Sequence, residues 1–371
     1  MRFILGCMFV IATTIGCSES NNTTENSAPS ASSEKPQLRR FIFITNGDDP
    51  FWHACNAGLV EGAKRLDIES QGLMVVMETN NGTAQGQIEK LRQLASQPDV
   101  AGVAISVIQA ENAAIVDEMK NLSDKGVSVI TVDGDVNTAL FPDARPYYIG
   151  TDNIVGGRLL GEAAKKLLES RGKNAGGYVQ FAGFTDNDNA RKRMDGFKES
   201  MGESYTELDR MPDEMDLSKA RNNVRTALVN HPDLISLVGI WAYNAPAIAE
   251  VAEERGVRDQ VTVVTFDAQA AAIQHMIDGR IDAMVVQNPF EMGIRTVKLL
   301  LAMDQKDDEA IQEMFPRSGE ADGDIHTTGL RLIIPDSGSP LKAEDFEGDG
   351  IEFLPLETFR AWLDTYNLSS S

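Results

Sequence analysis

Acids, amides and an arginine recur in this chain at one kind of place, just past the end of a short apolar run. Asp48 and Asp49 follow Phe41–Thr45, with the rings of Phe51 and Trp52 close behind. Ser106 follows Val100–Ile105, and Asp133 follows Val127–Val132. Further on, Arg191 and Arg193 close the polar stretch Thr185–Arg193, and Tyr243 and Asn244 come after Leu234–Ile240. Asp267 directly follows Val261–Phe266, and Gln287 follows Ile281–Val286. An ionised carboxylate accepts hydrogen bonds from one or two hydroxyls, a guanidinium donates in a fixed fork, and an amide does both. Aromatic faces cover the C–H faces of a sugar ring. Together these groups suit a polyol. A ligand lacking one hydroxyl would leave a buried partner unpaired, at a cost of about 1–3 kcal/mol. Each residue alone also has an ordinary use. Asp49 could cap a helix with Pro50 as its first residue, and Trp52 could be core.

The elements that must hold these residues are legible from periodicity. Apolar runs of strand length alternate with segments whose apolar residues fall at three- and four-residue spacing. After Phe41–Thr45 come a helix bearing Cys55, Leu59 and Leu66, the strand Leu73–Met77, and a helix with Ile88, Leu91 and Leu94. The strands Val100–Ile105, Val127–Val132 and Tyr147–Gly150 complete a first block, with a helix around Met119. A second block runs through a helix over Val155–Leu168, strand Gly177–Ala182, a helix near Met194–Met201, and the strands that precede Trp241, Asp267 and Gln287. A helix over Gly293–Met303, an acidic irregular stretch to Asp324 and a late strand Gly329–Ile334 follow. The expected fold class is α/β, with two similar lobes, each a parallel-sheet sandwich. No residue-level repeat is visible between the blocks. In such sheets ligands bind outside the carboxyl ends of the strands, where the polar residues collect.

The chain has 371 residues, 42% of them hydrophobic, and a formal charge of -22. That suffices for two cored lobes, and the acidic balance argues against nucleic acid. Arg2 precedes an apolar run, Phe3–Ile15, too short to span a bilayer as a helix. It has the pattern of a secretory signal. Thr14-Ile15-Gly16-Cys17 resembles a lipoprotein cleavage box, with Cys17 as the lipidated residue; a plain secretory signal is the alternative. The Ser-, Asn- and Thr-rich stretch after it reads as a tether. The remaining Cys55 has no cysteine to pair with. No nucleophile or metal-site motif is present, the histidines form no ligand-spaced cluster, and Asp186–Asn189 lacks the Gly and Glu of a calcium loop.

In order and spacing these residues resemble the ribose-type sugar-binding proteins of bacterial ABC importers, with the type I periplasmic-binding fold. Asp49-Pro50-Phe51-Trp52 answers the family's N-P-F-F, and Val129–Asp133 its V-I-T-L-D. Gly150–Gly157 answers I-A-S-D-N-x-x-G-G, and Ala190–Phe197 answers A-R-x-R-x-x-G-F. Val263–Asp267 matches V-V-G-F-D, and Asp278-Gly279-Arg280 with Gln287 matches D-G-K and a site glutamine. The resemblance implies sugar contacts from Asp49, Phe51, Trp52, Asp133, Arg193, Phe266, Asp267 and Gln287, and a structural role for Asp152-Asn153. Ser106 is added from its place at a strand end, and Tyr243 or Asn244 from a segment that departs from N-D-x-M. Gly134 stands where ribose binders carry Arg, and Asp49 where they carry Asn, so ribose itself is not implied.

The implied layout has a three-crossover hinge, near Thr151, near Gln287 and before Gly329. It places a signal peptide at 1–16, a tether at 17–37, an N-terminal lobe at 38–151 plus 288–322, a C-terminal lobe at 152–287 plus 323–340, and a docking tail at 341–371. The implied protein is a non-enzymatic, cofactor-free and metal-free monomer, extracytoplasmic and held to the membrane by a lipid. It would hand a pentose or hexose to a membrane permease, or present a sugar or autoinducer to a sensor kinase.

Overall fold

The apolar runs become strands, and the strands sort into two sheets. The computed structural model describes residues 38–371 apart from 347 and 349. The expected signal peptide, tether and Cys17 lie outside these residues.

The first block forms β1 (Arg39–Ile44), α1 (Pro50–Arg65), β2 (Leu73–Glu78), α2 (Ala84–Leu94), β3 (Val100–Ile105), α3 (Ala113–Asp124), β4 (Ser128–Val132) and β5 (Tyr148–Gly150). The second forms α4 (Asn153–Ser170), β6 (Gly176–Ala182), α5 (Asp188–Met201), β7 (Tyr205–Pro212), α6 (Leu217–Asn230), β8 (Leu234–Gly239), α7 (Asn244–Glu254), β9 (Thr262–Phe266), α8 (Ala270–Ile277) and β10 (Ala283–Gln287). There follow α9 (Pro289–Gln305), α10 (Asp308–Met314), β11 (Ile325–Thr327), β12 (Leu330–Ile334), β13 (Ile351–Pro355) and α11 (Leu356–Thr365).

The first sheet runs β11-β5-β4-β3-β1-β2, and the second β13-β12-β10-β9-β8-β6-β7. The order 5-4-3-1-2 thus returns as 10-9-8-6-7. Neighbouring strands are parallel except β10 and β12, which are antiparallel. Helices cover both faces of each sheet, which is why the inner strands read as unbroken apolar runs. In β1, Phe41 and Phe43 enter the core beneath α1 and α9, while Ile42 and Ile44 enter the one beneath α2 and α3.

The chain passes between sheets from β5 to α4, from β10 to α9, and from β11 to β12. At the first passage α4 lies tightly on α5. A Cβ on Gly157 would stand 2.1 Å from the Arg193 carbonyl oxygen, so only glycine allows this approach. That contact fixes the turn of α5 that carries Arg193.

Three features differ from the sequence expectation. Residues 325–327, expected in the C-terminal lobe, pair as β11 with β5 of the first sheet. The segment is short and half exposed, with no apolar run to announce it. The tail does more than dock. β13 extends the second sheet beyond β12, and α11 buries Leu356, Phe359 and Leu363 in that lobe's core. Finally, β7, α6 and α10 carry no strong periodic signal. β7 is an edge strand that alternates polar residues, and α6 buries only Ala220, Val224 and Ala227.

Candidate functional site

Parallel pairing carries the carboxyl ends of the strands, and the polar residues behind them, to one edge of each sheet. At the end of β1, Asp49 caps α1 by accepting the Phe51 N–H at 2.9 Å. Trp52 is only 3% exposed and packs on Phe43 and Phe51, with its indole N–H donated to Asn46 at 3.1 Å. The ring expected to cover a sugar face is therefore largely committed to the core, and Phe51 is the half-buried member of the pair.

At the ends of β3 and β4 a small network holds Asp133. The Ser106 hydroxyl donates to the Asp133 carboxylate at 3.2 Å and accepts the Gly134 N–H at 3.1 Å. The Tyr148 hydroxyl donates to the Asp133 carbonyl oxygen at 2.9 Å. Asp133 has φ of 63°, and Asp267, the first residue after β9, has φ of 61°. This left-handed conformation costs a non-glycine residue on the order of 1–3 kcal/mol, and such strain clusters at functional sites. It occurs at the two aspartates that directly follow β4 and β9.

Arg193 on α5 is 3% exposed. Its Nε donates to Asn153 Oδ1 at 2.8 Å and its Nη1 to the Ile240 carbonyl at 3.2 Å. Nη1 also stands 3.6 Å from the Asp267 carboxylate, and the guanidinium carbon lies 4.6 Å from the centre of the Phe266 ring. Gln287 donates from Nε2 to Asp267 Oδ1 at 3.1 Å, while its buried Oε1 has no partner. Asn153, for which a structural role is expected, sets the guanidinium's orientation.

Burial pushes the Asp133 carboxyl up to about 6, against opposing help from Arg193 and Ser106; the carboxylates of Asp267 and Asp49 push it the same way as burial. Burial also raises Asp267, with Arg193 and Gln287 opposing and Asp49 adding to the rise. Arg193 and Asp267 stand on the second sheet's side and Asp49 and Asp133 on the first's, so groups from both sides share one electrostatic field.

The structure thus brings together Asp49, Ser106, Asp133, Arg193, Phe266, Asp267 and Gln287. Tyr243 and Asn244 are engaged elsewhere. The Tyr243 hydroxyl donates to Asp213, and Asn244 Nδ2 donates to the same carboxylate at 2.8 Å. Asn244 Oδ1 accepts the Trp241 N–H at 3.0 Å. Both are turned to Asp213 instead of standing free. Asp213 is fully buried, and in sequence it looks like any turn acid after Pro212. Trp241 in this segment is half-buried and lies edge-on to Phe184 and Tyr243 at 6.1 and 6.3 Å.

Gly134 is there for want of space. A Cβ would fall 2.5 Å from the Val107 carbonyl oxygen and 2.9 Å from Ser106 Oγ. The loop that holds Asp133 therefore has no room for the arginine that ribose binders place here. Gly134→Ala is expected to lower stability by about 1–3 kcal/mol through overpacking, read as a lower melting temperature. An unchanged melt would mean that the loop yields freely.

Two α/β lobes of one strand order, joined by three passages and facing each other with polar strand ends, make a two-lobed solute-binding protein. The family described as a periplasmic binding protein domain matches residues 41–307, and the chain belongs to it. The ribose import binding protein RbsB of Salmonella typhimurium is 24% identical over 267 residues, covering 70% of this chain and 82% of that protein. Among solved structures, an ABC transporter solute binding protein from Burkholderia graminis in complex with D-arabinose superposes with a TM-score of 0.67. It is 24% identical, over 82% of this chain and 97% of that one. A chain of a XylFII–LytSN complex superposes at 0.61, with 21% identity over 74% of this chain and 95% of that one.

Proposed function

We propose that the protein captures a small sugar, a pentose or hexose, between its lobes and delivers it to an ABC-type permease without chemical change. The observation that carries this reading is the set around Asp267. An oriented guanidinium laid over the Phe266 ring stands beside a carboxylate on a strained backbone, and an amide donates to that carboxylate. Such a set donates to and accepts from neighbouring hydroxyls at fixed angles. Sugar contacts are assigned to Asp49, Phe51, Ser106, Asp133, Arg193, Phe266, Asp267 and Gln287. Trp52 supports Phe51 from the core, and Tyr243 and Asn244 support the wall through Asp213. Ligand binding closes the lobes about the three passages between the sheets. The protein works outside the cytoplasm, tethered as a monomer through lipidated Cys17. No helix of the described residues is long and apolar enough to cross a membrane.

A second reading, presentation of the ligand to a membrane sensor kinase, uses the same cleft. The likeness in fold to a chain of the XylFII–LytSN complex favours keeping it.

A thermal-shift screen of the purified protein against pentoses, hexoses and polyols tests the sugar reading. A true ligand at a hundredfold over Kd is expected to add about 2.7 kcal/mol of stability. A panel with no shift would overturn sugar capture.

A further inference from the structure

The cleft holds three carboxylates, Asp49, Asp133 and Asp267, and among the described residues one guanidinium, Arg193, acts on the two aspartates beyond the strand ends. Gln287 adds an acceptor, since its Oε1 is unpartnered although the residue is only 4% exposed. Asp49 uses one oxygen on the Phe51 N–H, and Asp133 uses one on Ser106. Their second oxygens have no hydrogen-bond partner among the described residues. On the donor side, Arg193 Nη2 has no hydrogen-bond partner among the described residues. The site is thus rich in acceptors and carries two negative charges in excess when its acids are ionised.

A neutral sugar corrects neither imbalance. Each hydroxyl brings one donor with two acceptor lone pairs, and no charge. Enclosing uncompensated carboxylates is costly. A protonated amine brings three donors, no acceptor, and a positive charge.

We propose that the preferred ligand is an amino sugar or amino polyol, with its ammonium held between Asp49 and Asp133 and its hydroxyls on Asp267, Gln287 and Arg193. This rests on the reading that a sugar-like polyol occupies the cleft. It accounts together for two of this chain's departures from the ribose-binder pattern. Asp49 supplies an acid where an amide would serve a hydroxyl, and Gly134 leaves out a guanidinium that would repel an ammonium. The upward displacement of Asp133 and Asp267 fits a cleft that awaits a cation.

The test is titration calorimetry at pH 7.5 with D-glucose, D-galactose and D-ribose, with D-glucosamine, D-galactosamine and 1-amino-1-deoxy polyols, and with the N-acetylated amino sugars. At least one amine is expected to bind tenfold or more tighter than its neutral parent and its N-acetyl form. Asp49→Asn, which keeps a helix-capping side chain, is expected to cut that preference at least tenfold. Neutral parents that bind as tightly as every amine would overturn this inference and leave sugar capture standing. No binding by any member of the three sets would overturn both.

Discussion

Arg193→Ala is expected to weaken sugar binding at least about a hundredfold, or roughly 2.7 kcal/mol, and to destabilise the unliganded protein as well. The second effect follows from what the guanidinium touches. It is buried, tied to Asn153 and to the Ile240 carbonyl, laid over Phe266, and 3.6 Å from Asp267. Removing it leaves Asp133 and Asp267 without the positive charge that offsets their burial. Breaking one partner out of a buried pair costs about 3–5 kcal/mol, and protonation of the stranded acids relieves part of it. Arg193→Lys keeps the charge and loses the Nε bond to Asn153, so it is expected to fall between wild type and alanine in both measurements. Calorimetry for binding and denaturant melts for stability check this. Wild-type affinity in Arg193→Ala would remove the guanidinium from the site.

Asp133 gives the second large effect, through pH. Its carboxyl stands at about 6 in the folded protein against an ordinary 3.8, so the folded chain holds this proton more tightly than the unfolded one. By linkage, its penalty on stability is absent below about pH 4, grows as pH rises from about 4 to 6, and is constant above that. Sugar binding has the opposite need, because only the ionised carboxylate accepts two hydroxyls. Affinity is therefore expected to be flat above about pH 7 and to fall about tenfold per unit below pH 6. Asp133→Asn is expected to melt higher than wild type at pH 7.5, by on the order of 1–2 kcal/mol, with the gain gone at pH 4. The same variant is expected to bind more weakly and to lose this part of the pH slope. Asp49, Asp267, Arg193 and Ser106 act on this carboxyl, and Asp267, itself raised, adds to any slope that remains. An unaltered pH profile in Asp133→Asn would place the titration elsewhere.

Much of the fold is written in the chain because parallel strands buried on both faces must be apolar along their length. The runs ending at Thr45, Ile105, Val132 and Phe266 could be nothing else. β7, α6 and β11 escape that logic. An edge strand pairs on one side only, a surface helix needs just a thin stripe, and β11 owes its place to pairing with β5 and not to its own residues. In the site, what could be read was position. Asp133 and Asp267 directly follow strands, Gln287 ends one, and the resemblance of Ala190–Phe197 to A-R-x-R-x-x-G-F picks out Arg193. What could not be read was partnership. Nothing in Pro212-Asp213 tells that this acid will claim both Tyr243 and Asn244, nor in Asp152-Asn153 that the amide will aim Arg193. Those contacts join residues tens of positions apart and exist only once the lobe has folded.

The strand order 5-4-3-1-2, repeated as 10-9-8-6-7, has a consequence for which way round a ligand lies. β4 and β9 hold the same station in their sheets, and each ends in an aspartate with the same left-handed backbone. Each sheet thus offers an aspartate from the same station, and the repeated topology presents one carboxylate from either side. A monosaccharide has no such repeat. Turned end for end, it would meet Asp133 and Asp267 alike. The choice between its two orientations falls to what the two sheets do not repeat. The helix after β1 begins with an acid, Asp49, while the helix after β6 carries a base, Arg193. Ser106 follows β3, while Ile240 and the indole of Trp241 follow β8. Recognition of a handed ligand is lodged in these mismatches between two otherwise matching halves.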